Sequence, residues 1–246
     1  MKKNNFLDFL IIVLVYIALS CIPFSLVIKD EKYSWLVLLL QILIQAGLFV
    51  FIFMFTRFKT KLDYKFGPIN IVNALLLIPT LVVCFSNLTN LLIAKESIQV
   101  VVNIDLFLRI LLTICVVVNE EIIFRLILIN NLEIKNKFLV ILISAGIFGV
   151  CHITHFLTTF NPADLLVIVY TFLLGLLLGF AYIFTKCIYP CLVIHFLFNL
   201  FQDIFFPYFV LNWVYILITI AFVTFVAIYL IILLVIKRDN LVVEEQ

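Results

Sequence analysis

The segment Asn119-Glu120-Glu121-Ile122-Ile123-Phe124-Arg125 places two carboxylates and a guanidinium inside an otherwise apolar stretch. An ionised group near a bilayer centre costs roughly 2.5–3.5 kcal/mol to insert, so three within six residues need compensation or a function. Helical geometry separates their roles. Glu121 and Arg125 stand four residues apart, on one face, where they can pair. Glu120 is rotated about 100° from Glu121 and points away from that pair. One carboxylate is then structural and the other chemical. The histidines extend the pattern: His152 follows Phe148 by four residues, and Asn199 follows His195 by four. Carboxylate and imidazole brought together in a buried pocket can move protons, as a general base on water or as a relay.

Positioning these groups requires helices that cross a membrane. Apolar residues make up 66% of the 246-residue chain, charged residues only 12%, and mean hydropathy is +1.32. A soluble domain carries roughly 25% charged residues. Runs long enough to span occur at 6–28, 35–55, 69–93, 106–129, 138–156, 165–185, 188–206 and 209–236. They lack the alternation of a barrel strand, and within lipid a single segment satisfies its backbone only as a helix. The expected fold is therefore all-α and polytopic, with about eight transmembrane helices around a buried polar active site. The first run, after Lys2 and Lys3, has no clean small-residue cleavage site and reads as an uncleaved span.

The connections set the orientation. With the N-terminus in the cytoplasm, Lys2, Lys3, Arg57, Lys59, Lys61, Lys65, Lys135, Lys137, Lys186, Lys237 and Arg238 lie inside, and only Lys29, Lys32 and Lys95 lie outside. This bias predicts that both termini are cytoplasmic. Counted at ~1.5 Å per residue from the cytoplasmic ends, Glu120, His152 and His195 fall very roughly 10–20 Å deep, so one pocket in the cytoplasmic half to middle of the bilayer can hold them. The net charge of +2 and the absence of a basic run exclude nucleic acid as a partner. Six cysteines are scattered through the apolar runs with no Cys-x-x-Cys pair, which marks them as small buried hydrophobes. Gly175 and Gly179 form a close helix-packing motif.

Glu120-Glu121-x-x-x-Arg125, Phe148-x-x-x-His152 and His195-x-x-x-Asn199, in that order and each in its own span, resemble the three motifs of the CPBP family. That family comprises the CAAX prenyl endopeptidases and the bacteriocin-processing or self-immunity proteins also called Abi. The resemblance covers about residues 106–206. It divides the chain into three N-terminal spans (1–105), four catalytic spans (106–206) and a last span with a cytoplasmic tail (207–246). The implied activity is intramembrane hydrolysis of a peptide bond in a membrane-associated peptide or protein. Peptide hydrolysis needs an activated water, a stabilised oxyanion and a proton for the leaving amine. Glu120 is expected as general base, with His152 orienting the water. His195 and Asn199 present donors to the oxyanion, and Glu121 with Arg125 and Phe148 tunes the site. Family members are usually described as metalloproteases. Glu120, His152 and His195 could hold a zinc ion with water as fourth ligand, yet no His-Glu-x-x-His segment is present, and a metal-free glutamate mechanism is the other reading.

Other classes of function fit the same residues less well. A non-proteolytic interaction or immunity protein need not keep costly buried charges. A proton-coupled transporter would be expected to show internal repeats, and none is evident. Asp105 and Arg109 read as a structural pair near the outer end of the fourth span, His155 as a hydrogen-bonding residue at the outer interface, and Asp203 as a surface group. A composition rich in Ile, Phe, Asn and Lys points to an AT-rich genome and a bacterial plasma membrane.

Overall fold

A computed structural model describes residues 3–22, 24, 28, 30–59, 67–68, 71–88, 102–153, 156, 160, 162, 164–204 and 213–236. Among them there are eight α-helices and no strand. We number them α1 (Lys3–Ser20), α2 (Ser34–Phe58), α3 (Ile71–Leu75), α4 (Ile104–Glu121), α5 (Lys137–Cys151), α6 (Asp164–Thr185), α7 (Tyr189–Ile204) and α8 (Trp213–Ile236). Each apolar run of the sequence contains one helix, so the all-α class holds. Two of the helices, Ser34–Phe58 and Leu165–Thr185, are long and apolar enough to cross a membrane by length and composition; the apolar parts of others are shorter.

Two runs depart from plain α-helix. The run at 69–93 is the short α3 followed by a 3₁₀-helix over Ile78–Leu88. The run at 106–129 is α4 continued by a π-helix over Ile122–Ile129, beginning directly after Glu121. The winding loosens where the two carboxylates end, a position at which π segments recur in functional proteins. One π-segment carbonyl, that of Phe124, accepts a hydrogen bond from Ser144 Oγ of α5 at 3.0 Å.

Helix starts are set by side chains. Asn103 accepts the Leu106 amide at 2.9 Å and caps α4, and Asn136 accepts the amides of Phe138 and Leu139 and caps α5. Asp105, in the first turn of α4, accepts from the Ser34 hydroxyl and ties it to the start of α2.

Helix α4 is central, with α2 and α7 against it, while α5 and α8 both lie along α6. The α5–α6 seam is made by glycine. A Cβ at Gly149 would stand 2.9 Å from Phe172 Cβ, one at Gly175 3.0 Å from Ala145 Cα, and one at Gly179 3.1 Å from Ile141 Cγ2. The expected packing role of Gly175 and Gly179 is thus met by α5. One apolar core joins α6, α7, α8 and the 3₁₀-helix; a second joins α1, α2, the π-helix and Phe148. The site lies between them. Large apolar side chains cover the outer faces, including Phe53 and Met54 of α2 and Phe225 and Ile232 of α8. Such a surface suits lipid and not water.

Candidate active site

The ionisable groups singled out in the sequence converge. Glu120, Glu121, Arg125 and His195 are 7%, 0%, 0% and 2% exposed. Packing of α7 on α4 brings His195 between the two glutamates: its Nδ1 lies 2.8 Å from Glu121 Oε1 and its Nε2 3.6 Å from Glu120 Oε2. A carboxylate only accepts, so Nδ1–H donates to Glu121 and Nε2 is the nitrogen turned toward Glu120. Arg125 Nε stands 3.2 Å from Glu121 Oε2. The pair inferred from spacing therefore exists, but Glu121 is more than a strut. It bridges the guanidinium and the imidazole, fixing the tautomer and orientation of His195.

Phe148 occupies the middle of the cluster. Arg125 Cζ lies 4.8 Å from its ring centroid, and His152 and His195 meet the ring edge-to-face at 4.8 and 5.8 Å. His152 caps α5 in a bridge-region conformation, φ −83° and ψ 0°, which turns its ring out of the helical path. Its Nδ1 lies 2.8 Å from the Phe148 carbonyl oxygen. A carbonyl cannot donate, so Nδ1 carries the proton and Nε2 keeps its lone pair.

Glu120 has a further partner that spacing did not reveal. Tyr16 of α1 donates its hydroxyl to Glu120 Oε1 at 2.8 Å, across 104 residues of sequence. A polar chain runs beside it: Asn119 Nδ2 donates to Gln45 O and Oε1 at 2.9 and 2.8 Å, and Gln45 Nε2 donates to Ser20 Oγ at 3.0 Å. These bonds latch α1 and α2 onto α4 beside the carboxylates. A lone tyrosine in an apolar run carries no periodic signal, so only the fold could expose it.

Glu120, His152, His195 and Asn199 line one cavity of about 370 Å³, with Tyr16, Gln45, Thr113 and Thr171 on its walls. That volume lies within the range of about 300–1,000 Å³ typical of ligand sites. Residues 102–201 match the Rce1-like family, type II CAAX prenyl endopeptidase. The matched segment contains every site residue named from the sequence, while Tyr16 and Gln45 reach the cavity from outside it. The family is a protease family of membrane proteins. Comparison with curated proteins and with solved structures gives no match.

His195 Nδ1 is engaged by Glu121 and His152 Nδ1 by a carbonyl, the outer contacts a metal-binding imidazole commonly makes, so a zinc ion would be taken by their Nε2 atoms beside Glu120. Among the described residues no three His, Cys, Asp or Glu side chains gather as a metal site. His155 lies outside the described residues, and of Asp203 only the backbone is described.

Proposed function

We propose that the protein is an intramembrane endopeptidase that hydrolyses a peptide bond with a glutamate-activated water. The observation that carries this reading is the joint lining of one cavity by Glu120, His152, His195 and Asn199, with Glu120 held from behind by Tyr16. Water at Glu120 gives up a proton as its oxygen attacks the carbonyl carbon. His152 Nε2 accepts from the same water and orients it. The oxyanion develops near His195 and Asn199, one helical turn apart on α7, where a protonated Nε2 and an amide N–H can donate. Glu120 then returns its proton to the leaving amine.

The substrate is a membrane-associated peptide or protein; bacteriocin or signalling-peptide maturation and self-immunity are biological settings this activity would serve. The chain is read as multi-pass with both termini in the cytoplasm, on the charge bias of its connections.

The test uses proteoliposomes and a quenched-fluorescent peptide library, half of it ending in a prenylated CAAX sequence. Glu120→Gln and His195→Ala should fold and insert as the native protein does yet lose cleavage. Full activity in both stable variants sinks the proposal. Metal content of active protein, and turnover after chelation, separate the two glutamate chemistries: the metal-free form keeps its rate with metal well below one equivalent.

A further inference from the structure

The cavity is closed at one end and reaches the surface at the other. Toward the N-terminal half of α1, directly beneath the glutamates, the space is filled by Ile12, Leu48, Ile52, Ile123, Phe124 and Ile127, all essentially without exposure and packed as one apolar cluster. Water has no polar partners there and no room. Toward the opposite end the lining changes character. It continues along Tyr16, Ser20 and the exposed Cys21 at the end of α1, Gln41 and Gln45 in the N-terminal half of α2, Thr113 in α4 and Thr171 in α6. Each lies on the side where α1 ends and α4 and α6 begin. From the glutamates the polar channel leads away from the N-terminus.

By the sequence reading of the connections, those on the side of the N-terminus carry eleven of the chain's sixteen Lys and Arg residues and those on the other side three. The positive side of a membrane protein is the cytoplasmic side. We infer that the site is loaded from the non-cytoplasmic face, and that it takes an uncharged, extended stretch of peptide presented there. Among the described residues the lining carries no carboxylate, lysine or arginine apart from Glu120; it is amide, hydroxyl, imidazole and apolar in mixture. Such walls offer partners to a peptide backbone and none to a charged side chain, whose burial would go uncompensated. The peptide part rests on the proposed endopeptidase activity. The direction of access does not.

The experiment labels single introduced cysteines with a membrane-impermeant maleimide in right-side-out and inside-out membrane vesicles, and locates the adduct by peptide mass spectrometry. Ser20→Cys at the mouth and Thr171→Cys on the wall should react at least tenfold faster in right-side-out vesicles. Ile127→Cys in the apolar cluster should react in neither. Faster labelling from the cytoplasmic face, equal labelling from both, or none at Ser20→Cys and Thr171→Cys overturns the inference. A quenched uncharged peptide supplied to one side then tests the substrate. Cleavage only from the outer side agrees with the inference, and cleavage only from the inner side refutes it. Sided labelling without any cleavage leaves the access route standing and removes the endopeptidase reading instead.

Discussion

Arg125→Met tests whether the buried ion network is what holds the site. Arg125 has no exposure, and its guanidinium is compensated by Glu121 at 3.2 Å and by the face of Phe148 at 4.8 Å. Among the described residues, removing the cation leaves buried Glu121 with the His195 imidazole as its hydrogen-bond donor. Breaking one side of a buried pair typically costs about 3–5 kcal/mol. Glu121→Gln should cost a similar amount, because the guanidinium is then stranded. The double variant Glu121→Gln/Arg125→Met removes both charges and replaces them with groups of similar volume. It should be no worse than about 1–2 kcal/mol below the native protein, because exchanging a whole buried pair is often neutral. The cycle therefore predicts a coupling energy at or above the upper end of the usual ~0.5–3 kcal/mol for contacting residues. Reversible unfolding in mixed micelles titrated with SDS measures all four species. Additive losses, or an Arg125→Met variant within about 1 kcal/mol of native, would refute the network. The double variant should also fold with turnover reduced on the order of 10–100-fold, since a carboxylate that orients a working imidazole has lost its charge.

Other outcomes follow from named contacts. Tyr16→Phe removes a donor to a buried carboxylate, a bond worth about 1.5–3 kcal/mol, and should slow cleavage by about tenfold or more while the helices remain assembled by circular dichroism. Asn199→Ala should lower kcat by about 10²–10³ with little change in KM, as loss of one oxyanion donor does; an effect confined to KM would place Asn199 in binding instead. Gly175→Val drives a side chain into Ala145 across the α5–α6 seam and should destabilise by about 1–3 kcal/mol, whereas Gly47→Ala, with open space around its Cβ position, should be neutral or stabilise by up to about 1 kcal/mol. Equal effects at the two glycines in SDS unfolding would contradict the seam.

What the sequence made legible was whatever repeats at helical spacing. Phe148 and His152, and His195 and Asn199, each stand four apart and line the same cavity, while Glu121 and Arg125, also four apart, pair beside His195. The all-helical class was readable because long apolar runs without strand alternation favour helices. Contacts between distant helices were not readable. Nothing local in α1 distinguishes Tyr16, and the Gln45–Asn119 latch depends on the tilt and depth of two separate helices. The π winding was hidden too, because Ile122–Ile129 is as apolar as an α-helical span and differs from one only in which carbonyls its amides meet. Residue counting gave a depth but no direction. It treats the helices as parallel rods, and the direction of the cavity is decided by which end the Ile and Phe side chains fill.

The glycine seam makes the two walls of the cavity mechanically unequal. Along α5 and α6 three glycines, Gly149, Gly175 and Gly179, let the helices approach closely, so His152 and the threonine-bearing wall are packed as one unit. The opposite wall, α1 and α2, is held to α4 by hydroxyl and amide bonds that can be exchanged for bonds to an incoming chain. Any outward movement of α1 would break the Tyr16–Glu120 hydrogen bond, so the position of that wall and the solvation of the carboxylate are linked.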